Sequence, residues 1–361
     1  MAEPLKEMFA RPYFARLAQE VQVSAPHVKR TTLVKDLLSG NEGRELNARM
    51  RHTSNTLRKH LPSEFRKAVE VLKDVATRMP KGYTALLYPD FVGQFGHQVP
   101  SFSLDALKYF TRFGSSEFAV REFFRRDAEG TLKVMRTWAE DDDEHVRRLA
   151  SEGSRPRLPW SFRLDAVLTD PRLTTSILER LRADDSLYVR KSVANHLNDF
   201  SKDHVKYVVD LLGSWDLKHP HTAWIAKHAS RTLIKAGHVD ALALFAFDSK
   251  VKVRVDDLTT SPKRLKLGDA LEVNFTVVSE AARAQQLVID YAIHYRKAGG
   301  NTSRKVFKLK EVELEARAAL NITKRQRIVD FSTRKHYPGE HVVEVMVNGK
   351  VRAQVSFDLK V

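Results

Sequence analysis

The spacing of the apolar residues changes once along this 361-residue chain, near residue 250. Before that point, from Ser63 to Phe247, apolar residues recur every three or four positions, with Gly, Pro, Asp or Ser at the breaks. Beyond it, apolar and polar residues alternate, as in Leu271–Val277. The first spacing is typical of a helix face and the second of a strand with one buried face. The chain is therefore predicted to contain a helical domain over 1–250 and a β domain over 251–361.

Three stretches of the helical domain look like one unit repeated, a helix followed by a polar turn and a second helix. They are Leu132–Gly153, Ile177–Leu197 and Val208–Gly237. The first two align so that Asp142 and Asp185 each lie four residues before a valine and two basic residues. This pattern resembles HEAT repeats, whose helix pairs stack into a solenoid with the second helices on the concave face. The fold class is predicted to be mainly α, a HEAT-like helical-repeat solenoid followed by a β module.

The aspartates of these turns have a structural interpretation. An aspartate before a helix accepts hydrogen bonds from free N–H groups and suits the positive end of the helix dipole. We therefore expect Asp185 and the acidic run Glu140–Glu144 to cap helices rather than to bind metal. The best metal candidate is His219 with His221 and His228, but no paired carboxylates lie near it, so helix-end and surface histidines are expected. No metal and no cofactor is predicted.

The β domain ends in a clear hairpin signal. Two alternating runs, Val343–Val347 and Val351–Leu359, flank Asn348-Gly349. Asn-Gly is favoured in two-residue hairpin turns because both positions need a positive φ. Several such strands in about 110 residues predict an immunoglobulin-like β-sandwich. Its few carboxylates are scattered along strands and turns, so a binding or capping role is expected for it rather than catalysis.

The charge of the chain points to a polyanionic partner. The formal net charge is +16, with 21 Lys and Arg against 13 Asp and Glu in residues 252–361 and 40 against 32 in the rest. Because the surplus is eight in each part, both domains are expected to approach the same anionic surface, with nucleic acid favoured. In the β domain, the basic stretch Lys263–Lys266 and the hairpin near Asn348 are alternative contact points.

Basic residues also recur at related positions in the second helices of the repeats. They are Arg147-Arg148, Arg190-Lys191, and Lys227 with Arg231. A solvated helix face would explain each of them singly. Their recurrence on successive helices favours a basic stripe that contacts phosphates. We predict DNA contacts for Arg148, Arg190, Lys191, Lys227 and Arg231.

Several classes of chemistry are excluded by composition and motifs. The sequence holds no cysteine, so thiolate nucleophiles and cysteine-bound metals are absent. It contains no phosphate-binding G-x-x-x-x-G-K-[ST] loop, no H-E-x-x-H and no G-x-S-x-G. No apolar run is long enough to span a membrane, and Met1–Glu7 leads straight into charged residues. A cytoplasmic protein without membrane contact is expected.

The most unusual segment is Ser151–Phe162, which reads SEGSRPRLPWSF. Two prolines stiffen the connection after a helix end, and Arg155 and Arg157 flank it. Glu152 therefore stands beside an aromatic residue and several cations, a setting in which a carboxylate stays ionised and faces a bound polyanion. The alternative is that Glu152 is a surface residue and Trp160 fills the core.

The repeats, the E-G-x-R-x-R-x-P-W segment from Glu152 to Trp160 and the appended β module together resemble the HEAT-like DNA alkylation repair glycosylases, in particular the AlkC branch of the AlkC/AlkD family. The resemblance covers essentially the whole chain. It implies a monofunctional DNA glycosylase, monomeric and bacterial, that acts on double-stranded DNA. Its substrates would be cationic N-alkylated bases, namely 3-methyladenine, 3-methylcytosine and 1-methyladenine, removed without full base flipping. Arg155 and Arg157 would join the DNA contacts.

The same resemblance implies a set of catalytic residues. Glu152 would be the carboxylate nearest the sugar, and Trp160 the aromatic residue packed against the deoxyribose beside the lesion. Glu117 would be a second carboxylate and Asp199 a third, which orients water. Such groups stabilise the oxocarbenium-like sugar that forms when the base leaves.

Alternatives remain open for residues and function. Asp185 rivals Asp199 as the third acid, although its turn position favours capping. Glu117 has the alternative of a surface salt bridge with Arg121. The chain as a whole has two rival interpretations, a non-enzymatic HEAT scaffold that binds nucleic acid or acidic proteins, and a glycoside-processing enzyme, against which the basic charge counts.

Overall fold

The computed structural model describes residues 4–331 and 334–360, which form two compact units. The repeat unit runs as far as Ala229 and omits Val205–Trp215. The β unit comprises Val205–Trp215 and the described residues from Ser230 onwards.

Sixteen α-helices and three short 3-10 helices lie in these described ranges. The α-helices are α1 (Arg11–Ser24), α2 (Arg30–Leu38), α3 (Leu46–His60), α4 (Phe65–Arg78), α5 (Leu87–Phe95), α6 (Pro100–Phe110), α7 (Glu117–Arg126), α8 (Ala128–Trp138), α9 (Glu144–Gly153), α10 (Asp165–Thr169), α11 (Thr175–Arg180), α12 (Leu187–Phe200), α13 (Val205–Gly213), α14 (Pro220–Ala229), α15 (Arg231–Lys235) and α16 (Val239–Ala243). The 3-10 helices are Leu5–Met8, Tyr83–Leu86 and Pro171–Thr174. Among these helices, none combines the length and the apolar composition of a membrane span.

One series of helices packs layer on layer through the repeat unit. In this series α3 contacts α5, α5 contacts α7, α7 contacts α9, α9 contacts α12, and α12 contacts α14. Each helix buries the apolar stripe that its three-to-four-residue spacing predicts, as Val146 and Leu149 do on α9 and Val189 and Val193 on α12. The predicted fold class, a HEAT-like solenoid, is confirmed.

The acidic run Glu140–Glu144 caps α9 as expected, through Asp143, whereas Asp185 does not cap α12. The N-cap of α9 is Asp143 and that of α12 is Ser186, and each side chain accepts a hydrogen bond from the backbone N–H two residues on, at 2.8 and 3.2 Å. Both helices therefore begin one residue later than a cap at Asp142 or Asp185 requires. The prediction that Asp185 caps its helix was wrong, and its side chain is fully exposed.

The first basic residue of each repeated pair closes its own turn. Nη1 of Arg147 donates to the carbonyl oxygens five and six residues earlier at 2.8 and 2.9 Å, and Nη1 of Arg190 does the same at 2.7 and 2.8 Å. Arg147 also pairs with Asp184 of the next turn, its Nε lying 2.7 Å from Oδ2. These arginines satisfy carbonyl groups that the turns leave open. A DNA contact by Arg190 stays a prediction.

The β unit contains eight strands in two sheets within the described residues. They are β1 (Val253–Ser261), β2 (Arg264–Lys266), β3 (Ala270–Ser279), β4 (Gln285–Arg296), β5 (Thr302–Leu314), β6 (Ala319–Arg327), β7 (Gly339–Val347) and β8 (Lys350–Lys360). The sheet orders are β1-β3-β6 and β2-β8-β7-β4-β5, and all pairs are antiparallel except β2 with β8. Alternate residues of both sheets, such as Phe275 and Tyr291, fill one shared core. The predicted immunoglobulin-like module is confirmed.

The Asn-Gly hairpin joins β7 to β8, and both turn residues have a positive φ, 47° at Asn348 and 76° at Gly349. The tip is packed rather than exposed. Asn348 is buried, and a Cβ added to Gly349 would lie 2.0 Å from the Cα of Gly237. The tip of the hairpin is therefore covered, and a nucleic-acid contact by the hairpin or by Lys263–Lys266 stays a prediction.

The outer face of the five-stranded sheet is covered by the segment that precedes the strands. Val288 on β4 packs there with Ile234, Leu242 and Phe247. Asp290, two residues further along β4, lies on the same face and is 1% exposed. Neither of its carboxylate oxygens has a hydrogen-bond partner within the described residues. Burial raises the pKa of Asp290 to about 6, although Lys235 and Lys308 act in the opposite direction.

Replacing Asp290 by Asn should stabilise the β unit at neutral pH. Because the pKa of Asp290 is raised on folding, its ionisation costs stability as the pH rises from about 4 to 6, and the full cost is present above pH 6. We expect Asp290→Asn to raise the unfolding free energy by about 2 kcal/mol at pH 7.5 and by little at pH 4. Denaturant unfolding at both pH values measures this, with Asp358→Asn on β8 as the exposed control. An equal gain at both pH values would contradict the assignment.

Candidate active site

Three carboxylates predicted to act in catalysis lie on three consecutive helices of the layered series. Glu117 is the first residue of α7, Glu152 the second-last of α9 and Asp199 the second-last of α12. Glu152 and Asp199 are each only 6% exposed. Gly153 lets α9 come close to α7, since a Cβ at this position would lie 2.6 Å from Val120. The solenoid therefore gathers acids that are far apart in the sequence.

Two arginines separate these carboxylates. Arg155 places Nη1 2.6 Å from Oε1 of Glu152 and Nη2 2.8 Å from Oδ2 of Asp199. Arg148 hydrogen-bonds Glu117 through Nη1 and lies 3.5 Å from Oε1 of Glu152 through Nη2. The result is a row of alternating charges, Glu117–Arg148–Glu152–Arg155–Asp199, which we call the charge row. Charges this deeply buried need such partners, because desolvation otherwise costs several kcal/mol per ion.

Two of the acids also accept hydrogen bonds from hydroxyl groups. Ser192 Oγ donates to Oε2 of Glu152 at 2.6 Å, and Ser115 Oγ donates to Oε2 of Glu117 at 2.7 Å. Asp199 differs, because Oδ1 has only Lys202 Nζ at 3.7 Å within the described residues. Burial raises the pKa of Asp199, and Arg155 opposes that rise. Oδ1 of Asp199 therefore has no donor within hydrogen-bond distance among the described residues and can accept a new hydrogen bond.

Trp160 is not a core residue, which excludes one of the alternatives for it. Its side chain is 80% exposed and its φ is 63°, in the left-handed region that non-glycine residues seldom adopt. The ring stands at the rim of a groove of about 650 Å³ that is also lined by Ser115, Phe118 and Phe162. Since Ser115 also bonds Glu117, the exposed indole and the charge row border the same region.

The alternative that Glu117 forms a salt bridge is confirmed, but the predicted partner, Arg121, was wrong. Glu117 does form a salt bridge, but with Arg148 of α9 and not with Arg121 of its own helix. Arg121 is fully buried and donates to backbone carbonyl groups instead. Spacing along one helix suggested the wrong partner, because the first residue of α7 lies against the neighbouring helix.

The residues predicted to contact DNA occupy different settings. The buried Arg155 and the partly buried Arg148 belong to the charge row, and Nη2 of Arg157 lies 2.7 Å from Oδ2 of Asp203. Lys191 is exposed, and Lys227 is partly exposed on α14. Arg231 belongs to α15 of the β unit. Their DNA contacts stay predictions, and an arginine of the charge row could reach a phosphate only at its solvent-facing edge.

Two histidines of the repeat unit, His196 and His228, are engaged in packing contacts. His196, in α12, is fully buried, and burial lowers its pKa to about 3, so its ring is neutral. Its Nδ1 lies 3.1 Å from the carbonyl oxygen of Ser151. His228 stacks on Trp224 at 4.9 Å between ring centroids. Across the part of the chain that the structure describes, no three His, Asp or Glu side chains are grouped to hold a metal ion.

Residues 108–233 match the family model described as DNA alkylation repair enzyme, and residues 254–361 match that of the C-terminal Ig-like domain of uncharacterised protein YhaZ. Uncharacterized protein YhaZ of Bacillus subtilis is 41% identical over 356 residues, which cover 98% of this chain and 99% of that protein. A solved structure of Pseudomonas fluorescens alkylpurine DNA glycosylase AlkC, bound to DNA containing an abasic site analogue, is 45% identical with a TM-score of 0.97. The match covers 99% of this chain and 100% of that one.

The family match over residues 108–233 and the similarity to AlkC over 99% of the chain show a DNA glycosylase of alkylation repair. Within that class, the chain belongs to the AlkC branch of the AlkC/AlkD family, as its segment from Glu152 to Trp160 predicts.

Removing Arg155 should destabilise the repeat unit in a pH-dependent way. Arg155→Met leaves Glu152 and Asp199 buried without their shared cation, a loss that typically costs about 3–5 kcal/mol. Arg155 opposes the rise that burial causes in the pKa of Asp199, so this pKa should rise further in the variant, and the deficit should be larger at pH 8 than at pH 5. Urea unfolding at the two pH values measures this.

The matched control is Arg157→Met. Arg157 lies two residues away and pairs with Asp203, whose side chain is 39% exposed. Exposed pairs contribute about 1 kcal/mol or less, so a small, nearly pH-independent effect is expected. A deficit for Arg155→Met that is the same at both pH values would argue against the charge row as described.

Proposed function

We propose that this chain is a monofunctional DNA glycosylase that removes cationic N-alkylated bases from double-stranded DNA and cuts no strand. Its substrates are 3-methyladenine and 3-methylcytosine, with 1-methyladenine as a further candidate. The observation that supports this proposal best is the charge row, in which the buried Glu152 and Asp199 and the partly buried Glu117 are paired with arginines, beside the exposed Trp160.

The chemistry asked of such a site is modest. A cationic base leaves as a neutral molecule when the bond from C1′ breaks and its electron pair moves to the base nitrogen, so little acid catalysis is needed. The sugar meanwhile acquires oxocarbenium-like positive charge, which preorganised carboxylates stabilise. No thiol is required, in keeping with a chain that has no cysteine.

Two of the acids have distinct proposed roles. Glu152, fixed by Arg155 and Ser192, lies nearest C1′ and stabilises its developing charge. Asp199 keeps Oδ1 open and orients the attacking water, whose oxygen bonds to C1′ while its proton passes to the carboxylate or to solvent. The products are a free base and an abasic site.

Trp160 is proposed to pack against the deoxyribose next to the lesion. An exposed indole held by its backbone at the rim of the site suits contact with a sugar face. With such a contact the lesion need not rotate fully out of the helix, since the groups that act on C1′ approach the sugar and not the base.

DNA binding is proposed to be mainly electrostatic, through the surplus of positive charge on both domains. In the β unit, we assign contacts to Lys263, Arg264 and Lys266, which are exposed on and beside the edge strand β2. We further propose that the protein is a monomer that works in the bacterial cytoplasm and associates with the nucleoid when bound to DNA.

Changing Glu152 to Gln should abolish base release while DNA binding stays near normal. The amide keeps the shape of the side chain but removes the charge that stabilises the sugar, and losing one such group costs about 100- to 1,000-fold in rate. Free 3-methyladenine and 3-methylcytosine released from methylated duplex DNA are measured under single-turnover conditions. Affinity is measured on DNA with an abasic site analogue.

Glu129→Gln is the matched control, since Glu129 is exposed at the start of α8. If Glu152→Gln released bases as fast as the parent, the assignment of Glu152 would be wrong. If the parent bound methylated DNA and released nothing, the chain would be a binding scaffold and the proposed activity would be wrong.

Replacing Lys263, Arg264 and Lys266 by Gln should weaken DNA binding and flatten its salt dependence. Each lost phosphate contact should reduce the slope of log K against log salt by about 0.9, or by about 3 for all three. Lys324, Arg325 and Arg327 of β6, replaced in the same way, provide a control with equal charge loss. Equal slopes for the two variants would show an effect of net charge alone.

A further inference from the structure

Arg121 of α7 is a buried cation that has no carboxylate partner among the residues that the structure describes. Its relative exposure is 0%, which makes it one of the largest fully buried side chains. Burial lowers its pKa to about 10, so it remains charged at neutral pH. Keeping a charge in such a place is costly unless its donors are used well. The acceptors of its N–H groups therefore indicate what this arginine stabilises.

The guanidinium binds three backbone carbonyl oxygens of one segment. Nη1 donates to the carbonyl oxygens of Gly153 at 3.2 Å and Arg155 at 2.6 Å, and Nη2 donates to that of Phe162. The Phe162 ring also covers the guanidinium, with its centroid 5.4 Å from Cζ. Two of these carbonyls begin the segment 153–162 and the third ends it. Arg121 thus fastens both ends of the segment to α7.

The fastened segment carries Trp160 in its strained conformation. A non-glycine residue with a φ of 63° costs on the order of 1 kcal/mol or more, and it persists only where the surroundings impose it. Pro156 and Pro159 limit the other conformations of the segment. The exposed indole itself has little packing to hold it. Its position must come from the backbone on either side.

We infer that Arg121 is a positioning residue for base excision, which sets the place of Trp160 by holding both ends of the segment 153–162. This inference rests on the proposed function. Arginine suits the task, because its planar fork presents five N–H donors in fixed directions, whereas lysine offers one compact charge. Arg121 contacts no reacting atom in this arrangement and acts through the segment.

The experiment compares Arg121→Gln and Arg121→Lys with the parent on methylated duplex DNA. Single-turnover base release, affinity for DNA with an abasic site analogue, and the thermal midpoint are measured for each. Misplacement of an active-site group by about 1 Å costs on the order of 100-fold, so we expect release to fall by about that factor in both variants. Affinity should change by less than about fivefold, because the phosphate contacts remain.

A double-mutant cycle tests whether the effect passes through Trp160. In a Trp160→Ala background the indole is gone, so Arg121→Gln should cost less than about 10-fold, although its thermal midpoint should fall as before. A merely structural role would reduce release by the same factor in both backgrounds. Arg125→Gln is the matched control, since Arg125 lies on the same helix with Cζ 4.9 Å from the Phe162 ring but is exposed.

The outcomes separate this inference from the proposed function. If the parent releases no base, the proposed function fails and the inference with it. If the parent releases bases and Arg121→Lys does so equally fast, the fork is unnecessary and the inference alone is overturned. The same holds if the loss from Arg121→Gln is undiminished in the Trp160→Ala background. If Arg121→Gln does not fold, the double-mutant cycle with Trp160→Ala uses Arg121→Lys instead.

Discussion

Ionised carboxylates buried between helices are costly, and the repeat unit stabilises two buried ones and the partly buried Glu117 by placing arginines between them. Two of the acids, Glu152 and Asp199, also lie at helix C-termini, where the helix dipole disfavours negative charge. Arg155 bonds both and offsets that cost. Since each member of the row comes from α7, α9 or α12, or from the turn after α9, these helices must keep their register for any pair to form.

The same arrangement links stability to chemistry. Carboxylates whose positions and partners are set before DNA arrives need no reorganisation when charge develops on a sugar, which is the situation in which electrostatic stabilisation is strongest. The burial that makes the row expensive also lowers the local dielectric and strengthens its interactions. In the proposed reaction, the row itself supplies the negative charge that stabilises the sugar. As inferred above, Arg121 positions the indole of Trp160 in the same way, before DNA binds.

The basic pairs of the repeats show why a repeated signal is ambiguous about function. Their first members, Arg147 and Arg190, donate to carbonyl groups of the turns, and this structural role is the same in both repeats. Their second members differ, because Arg148 is drawn into the charge row and Lys191 stays exposed. Residues at equivalent positions of two repeats therefore need not have equivalent partners. The partner depends on which helix packs next.

Local signals in the sequence determined the solenoid, the β-sandwich and the hairpin at Asn348, because helix spacing, strand alternation and turn chemistry act between near neighbours. The resemblance also drew attention to Glu117, Glu152 and Asp199, whose catalytic roles stay predictions. Only the tertiary structure decided that Glu117 pairs with Arg148, that Trp160 is exposed, and that Arg121 holds a segment more than 30 residues away. Such contacts depend on how whole helices pack and where buried side chains find partners, and no spacing along one helix specifies that.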